Sequence, residues 1–202
     1  DKTSAKFDTL EKTKSVDIVA DRFPILIEGK DKAGEFYRKN FAALFAYVQN
    51  RIPEITDALY KIDDAMKAGF GWQHGPFQIW DAIGLEKGIQ LMKDEGFEIA
   101  DWITSLSESK ENSFYHVKSG KTYFYDIDKK SYEKIPGQDA FIILDNIRES
   151  HKVFSNKDLV AEDLGDGILN IEFRSKMNSI GGDVLNGIHA AMDIAEKEFD
   201  GV

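Results

Sequence analysis

The sequence predicts a mainly α chain that ends in a small α/β portion, and three observations predict it. Between Ala33 and about residue 108, apolar side chains recur at helical spacing with short connections between the runs. From residue 113 the composition turns to aromatic and β-branched residues, interrupted at Ser119-Gly120. Residues 159–202 then read as two short strands followed by one amphipathic helix.

Residues 1–32 are polar and weakly patterned apart from the burst "RFPILIEG", and are expected to form a linker or extended arm. The helical domain is expected over 33–108. Its first helix carries Phe36, Tyr37, Phe41, Leu44, Phe45 and Val48 on one broad face, and Pro53 marks a break. A shorter helix with Leu59, Ile62 and Met66 runs to Gly69 as its expected C-cap. Pro76 suits the first turn of "PFQIWDAI", which should end at Gly84. "LEKGIQLMKDEG" and "IADWITSLSES" supply two further helices.

A linker follows over 109–157, with a β-hairpin expected in 113–136. "AFIILDNIRESHK" reads as a short strand leading into a helical turn. In "LVAEDLGDGILNIEFRS" two strands should pair around Gly165-Asp166-Gly167. The helix of "SIGGDVLNGIHAAMDIAEKEF" should bury Val184, Leu185, Ile188, Ala191, Met192 and Ala195. A strand–strand–helix unit of this kind has most of its sheet missing, so the chain reads as a fragment of a longer polypeptide.

Composition narrows the function. With 202 residues, a sizeable core can form, and 42% hydrophobic against 31% charged residues is the balance of a water-soluble globular chain. There is no apolar run long enough to span a bilayer and no signal-peptide core at the N-terminus, so a cytoplasmic location is expected. The absence of cysteine excludes disulfides, thiolate nucleophiles and Cys-ligated zinc. A net charge of −10 argues against general nucleic-acid binding, which needs basic surface to displace counterions.

Among motifs, "GFGWQHGPFQIWDAIG" (69–84) nearly spells a dinucleotide fingerprint through Gly69, Gly71 and Gly75. That fingerprint requires a strand before the first glycine and a helix opening after the last. Here a helical segment precedes and a proline follows the third glycine, so a packed turn between helices fits better. Phe70, Trp72, Phe77 and Trp80 are expected to fill the space around it. His74, His116, His151 and His189 have no ligand-spaced partners, and no metal site is expected. Asp63-Asp64 and Asp81 read as solvent contacts or helix caps rather than an acid–base pair. In "FRSKMNSIGGDV" (173–184) a strand meets a helix N-terminus through a loop carrying Arg174 and Lys176, a setting for phosphate groups. The plainer reading of that loop is that Asn178 or Ser179 caps the helix.

Two stretches resemble known families. "KIDDAMKAGFGWQHGPFQIWDAIGLEKGIQLM" (61–92) resembles the C-terminal helical domain of 3-hydroxyacyl-CoA dehydrogenases in its Asp-x-Ala-Met helix, Gly-Phe-Gly, Gly-Pro-Phe and Asp-x-x-Gly. Residues 158–202 look like the opening β-β-α unit of an enoyl-CoA hydratase (crotonase) domain. The order resembles fused bacterial and archaeal enzymes of fatty-acid β-oxidation. The resemblance implies a parent that hydrates enoyl-CoA and oxidises 3-hydroxyacyl-CoA with NAD, the chain being its central, structural and inactive part. It implies no catalytic residue and no bound cofactor within these 202 residues. Partners would be the remaining domains of the parent, or a second copy in a homodimer. Ser175, Lys176, Met177 and Asn178 match the family loop that touches coenzyme A, and are the implied binding residues. The helix that in active copies opens with a substrate-binding Asn reads "GEFYRKN" here, with Arg38 at that place, which points to a structural copy. The reading from a different class is a stand-alone helical module for interaction or dimerisation.

Overall fold

A computed structural model describes residues 6–110 and 112–202; the first five residues of the expected arm, and Glu111 of the expected linker, lie outside the described residues. The chain divides into two compact units. The first holds the residues through His116 together with Tyr123–Ile135, and the second holds Val117–Thr122 with Pro136–Val202. Among the described residues no helix is long and apolar enough to cross a membrane.

The first unit is built from α1 (Asp8–Thr13), α2 (Val19–Glu28), α3 (Lys32–Gln49), α4 (Leu59–Phe70), α5 (Pro76–Ile83), α6 (Leu85–Asp94) and α7 (Asp101–Ser107). The expected extended arm is therefore helical. Its apolar burst falls on α2, where Leu26 and Ile27 are buried, and burial of that stripe outweighs the weak local pattern. Asp31 ties this segment down: it caps α3 through Gly34 N–H and also accepts the N–H and hydroxyl of Thr9 on α1.

The core of the unit is aromatic. Phe45 of α3 stacks on Trp80 of α5 with centroids 4.5 Å apart, and Phe114 meets both Trp80 and Phe77 at 5.0 Å. The Trp80 indole N–H donates to the carbonyl of Leu85, so this fully buried ring leaves no polar atom unpaired. Gln49 is buried too, satisfied by the Glu98 carbonyl and the Ala100 N–H.

The β-region departs from a simple hairpin. Strands β1 (Tyr115–Lys118), β2 (Lys121–Asp126) and β3 (Ser131–Lys134) make a three-stranded sheet in that order. The Ser119-Gly120 turn forms where expected, with φ of 49° and 72°, the positive values a tight two-residue hairpin turn demands.

In the second unit, β4 (Lys152–Ser155), β5 (Leu159–Asp163) and β6 (Leu169–Phe173) form an antiparallel sheet with β5 central. The expected pairing of β5 with β6 is present, and β4 adds an unforeseen strand on the other side of β5. The strand expected within "AFIILD" is absent; that stretch holds only the short helix α8 (Leu144–Ile147), while Phe141 and Ile142 are exposed. Helix α9 (Gly182–Glu198) packs Val184, Ala191 and Ala195 against Leu159, Ala161 and Leu169. A Cβ on Gly187 would lie 3.1 Å from that of Leu159, which is how closely helix and strand approach. The buried face is thus narrower than the sequence suggested: Leu185 and Met192 are exposed, because small residues let the helix sit close and turn these two outward.

Candidate functional site

The stretch 69–84 is a packed turn between α4 and α5. Helix α4 continues one residue past the expected cap and stops at Gly71, whose φ of 66° places it in the left-handed region. Gly75 is required by proximity, since a Cβ there would lie 2.3 Å from the Asp63 backbone. Phe77 and Trp80 are fully buried as expected, but Phe70 and Trp72 are not: Phe70 is 74% exposed and Trp72 37%, because both follow the α4 face that turns away from the core.

Three side chains that sequence reasoning did not join meet beside this turn. Asp63, 1% exposed, accepts the N–H of Phe77 at 2.9 Å, the N–H of Gln78 at 3.0 Å and the hydroxyl of Tyr115 at 2.8 Å. Asp81 accepts the N–H groups of Phe114 and Tyr115, each at 2.8 Å. Asp63 is a cap, as one of the two sequence readings allowed, but it caps the following helix rather than its own; Asp81 instead pins the entry to β1. Asp63 is no solvent contact, while Asp81 is half-buried. The signal was present in the spacing: Asp63 falls on the stripe of Leu59 and Met66, and Asp81 on that of Phe77.

Burial pushes the Asp63 carboxyl up to about 6, against the pull of the Phe77 and Gln78 N–H groups and the Tyr115 hydroxyl. Burial likewise pushes Asp81 up to about 7, with the Asp63 charge adding to it. The Tyr115 hydroxyl is raised well above its ordinary value by burial and by the Asp63 charge. Every carboxylate oxygen of the pair has a backbone donor, which makes these groups staples between elements rather than a free acid and base.

Arg38, at the place where the resemblance expects a substrate-binding Asn, is occupied structurally. Its guanidinium donates to the carbonyls of Ile27 and Gly29 at 2.9 and 2.5 Å, at the C-terminal end of α2, where a cation suits the helix dipole.

In the second unit Ser175, Lys176, Met177 and Asn178 stand together on the loop between β6 and α9. The Ser175 hydroxyl donates to the Ser179 carbonyl at 2.7 Å, closing the loop on itself, and Ser179 donates to the Lys176 carbonyl. Met177 and Asn178 both have positive φ, 58° and 52°, and Met177 is 92% exposed. Arg174 is drawn to Glu172 at 2.9 Å, and Lys176 is the other cation of this loop. Helix α9 begins with Gly181 at its N-cap and no side-chain cap, so neither Asn178 nor Ser179 caps it. Behind the loop, Arg148 forms a bidentate pair with Glu172 at 2.9 Å and lies 3.8 Å from the fully buried Glu162. Burial raises the Glu162 carboxyl; at Glu172 burial works the same way but Arg148 and Arg174 outweigh it and lower the net value. Among the described residues no group of three or more His, Asp or Glu could hold a metal ion.

Comparison with known proteins fits this architecture. Residues 32–127, from the start of α3 to just past β2, match the family described as 3-hydroxyacyl-CoA dehydrogenase, C-terminal domain. The chain is 30% identical over 203 residues to the probable 3-hydroxyacyl-CoA dehydrogenase of Bacillus subtilis, covering 100% of the chain and 26% of that protein. It is 23% identical to a putative fatty acid oxidation complex trifunctional enzyme of Rickettsia felis, over 92% of the chain and 23% of that protein. The corresponding Rickettsia prowazekii protein is 24% identical, over 91% of the chain and 22% of its own length. The chain spans about a quarter of the length of these curated relatives. No solved structure matches it significantly. The chain is thus similar along its length to a probable 3-hydroxyacyl-CoA dehydrogenase, and its residues 32–127 match the C-terminal domain described for that family.

Proposed function

We propose that this chain is the central part of a longer β-oxidation enzyme that oxidises 3-hydroxyacyl-CoA with NAD and hydrates enoyl-CoA. Its first unit is a structural copy of the dehydrogenase C-terminal domain, and its second unit opens a crotonase domain. The match of residues 32–127 to the dehydrogenase C-terminal domain carries the reading. Arg38 supports the structural role, because one terminal nitrogen of its guanidinium donates to the Ile27 and Gly29 carbonyls and anchors the side chain at the end of α2.

The residues present do not fit NAD. The stretch 69–84, whose glycines nearly spell a dinucleotide fingerprint, joins α4 to α5 with no strand leading into it. Coenzyme A fits better at the loop 175–178, where the exposed main chain and Lys176 would hold phosphate or adenine groups near the start of α9.

Two assays test the reading. The isolated chain should show neither NAD-dependent oxidation of 3-hydroxyacyl-CoA nor hydration of crotonyl-CoA, and the intact parent should show both. Turnover by the isolated chain above a buffer blank would sink the structural role, and a parent without either activity would sink the assignment. In the active parent, Lys176→Ala should raise KM for crotonyl-CoA severalfold with kcat little changed, as expected when uniform binding is lost.

A further inference from the structure

In the second unit, β5 and β6 turn Leu159, Ala161 and Leu169 toward α9. The alternate residues face the other way, where the register sets Glu162 opposite Asn170 and diagonally across from Glu172. Two carboxylates side by side repel each other, yet Glu162 is wholly buried.

The two oxygens of Glu162 are served unequally. Oε2 accepts the Asn170 side-chain amide at 2.9 Å, whereas the buried Oε1 has no donor among the described residues. Arg148, at the end of α8, stands 3.8 Å from Oε1, beyond hydrogen-bond range. Its Nε and one terminal nitrogen donate to Glu172 at 2.9 Å, and that terminal nitrogen also meets Asp145 at 2.5 Å. Lys152 lies opposite Glu162 on β4, but its ammonium sits on Glu149 at 2.8 Å, and Arg174 turns to Glu172. The Glu172 carboxyl, within hydrogen-bond reach of Glu162, is an acceptor when ionised, and a protonated Glu162 has the O–H to give it. Charge agrees with this. Asp145, Glu149, Glu162 and Glu172 face Arg148, Lys152 and Arg174, so full ionisation leaves one negative charge, costliest on the buried member. Burial raises Glu162, whereas at Glu172 burial is outweighed by Arg148 and Arg174, which lower it.

We infer that Glu162 carries a proton in the folded chain and donates it to Glu172, a proton site that latches α8 to the β5–β6 sheet and opens as pH rises. Once the proton leaves to solvent, Glu162 is a buried carboxylate whose nearest cation is already shared between Glu172 and Asp145. Water must then reach it, and α8 with Arg148 must part from the sheet to admit that water. The sign follows from the raised folded value. The stabilisation is fully present below the unfolded value of about 4.3 and is lost as pH climbs through the folded one. The inference does not depend on the β-oxidation reading, since it rests on this cluster's own residues.

Carboxyl-carbon NMR of the full chain, labelled in glutamate and titrated with pH, tests it. The signal assigned through its side chain to Glu162 should still be that of the protonated acid at about pH 6, where an ordinary glutamate is ionised. Glu162→Gln keeps an acceptor for Asn170 and an N–H for Glu172, so it should fold like the parent and lose the pH response. The opening constant of the β5 amides, from hydrogen exchange corrected for intrinsic rates, should rise with pH in the parent by up to about tenfold more per pH unit than in Glu162→Gln, the effect of one proton. Two results would each overturn the proposal: a Glu162 signal already ionised at about pH 6, as expected if water serves Oε1, or the same pH dependence of β5 opening in a folded Glu162→Gln chain. The parent's titration decides by itself should the variant fail to fold.

Discussion

Asp63, in the middle of α4, accepts the backbone N–H of Phe77 at 2.9 Å and so caps the start of α5 from the preceding helix. Gly75 makes the contact geometrically accessible, and the Tyr115 hydroxyl closes the group from the side of β1. One carboxylate therefore holds three elements in register, and most of what can be predicted for the first unit follows from it.

Asp63→Ala should be among the most destabilising single changes in this unit. It strands two buried N–H donors and one phenol, each costing about 1–3 kcal/mol, so the loss should exceed about 3 kcal/mol. Urea melts would measure it, with Asp63→Asn falling between the two because one amide oxygen can replace part of the acceptor.

The pH dependence has an unusual sign. Asp63 and Asp81 are raised in the folded state to about 6 and about 7, so that state binds protons more readily than the unfolded chain. Their contribution is fully present below the unfolded value of about 4 and is lost as pH rises through about 6–7. Thermal melts should therefore show Tm falling by several degrees between pH 5 and pH 8. Asp81→Asn should flatten that slope; an unchanged slope in the variant would mean other groups set it.

Trp80 and Trp72 should separate cleanly. Trp80→Ala empties the centre of the aromatic cluster and should cost about 3–5 kcal/mol. Trp72→Ala, on a half-exposed ring, should stay within about 1 kcal/mol of the parent chain. Gly88→Ala should be destabilising as well, because its Cβ would lie 2.0 Å from the Trp80 indole nitrogen.

In the second unit, Arg148 is the element to remove. Without it, Glu162 and Glu172 face each other on β5 and β6 with their main counter-charge gone, and Glu162 is wholly buried. Arg148→Met should cost about 3–5 kcal/mol at pH 8, the range for breaking a buried ion pair from one side. The loss should shrink at pH 5, where a carboxyl of the pair can take up a proton; chemical denaturation at the two pH values would show whether it does.

Helical periodicity made α3, α5 and α6 legible in the sequence, and glycine and proline punctuation marked the ends of α5 and the Ser119-Gly120 turn. These signals are local: a repeat of 3.6, a proline at a first turn, a positive φ at a tight turn. Two resemblances, at 61–92 and 159–202, came from the same short-range patterns. The tertiary structure decided what depends on distant partners. The helices of 8–28 form because Leu26 and Ile27 are buried and Asp31 holds Thr9, a contact 22 residues apart in sequence. Strand β4 exists because β5 offers it an edge, and Leu185 and Met192 turn outward because Gly187 lets α9 approach β5. Asp63 and Asp81 read as solvent contacts or helix caps because composition cannot say which donors will arrive. Their backbone partners lie 14 to 34 residues away, and only folding brings an N–H to a carboxylate and removes the water that would otherwise have solvated both.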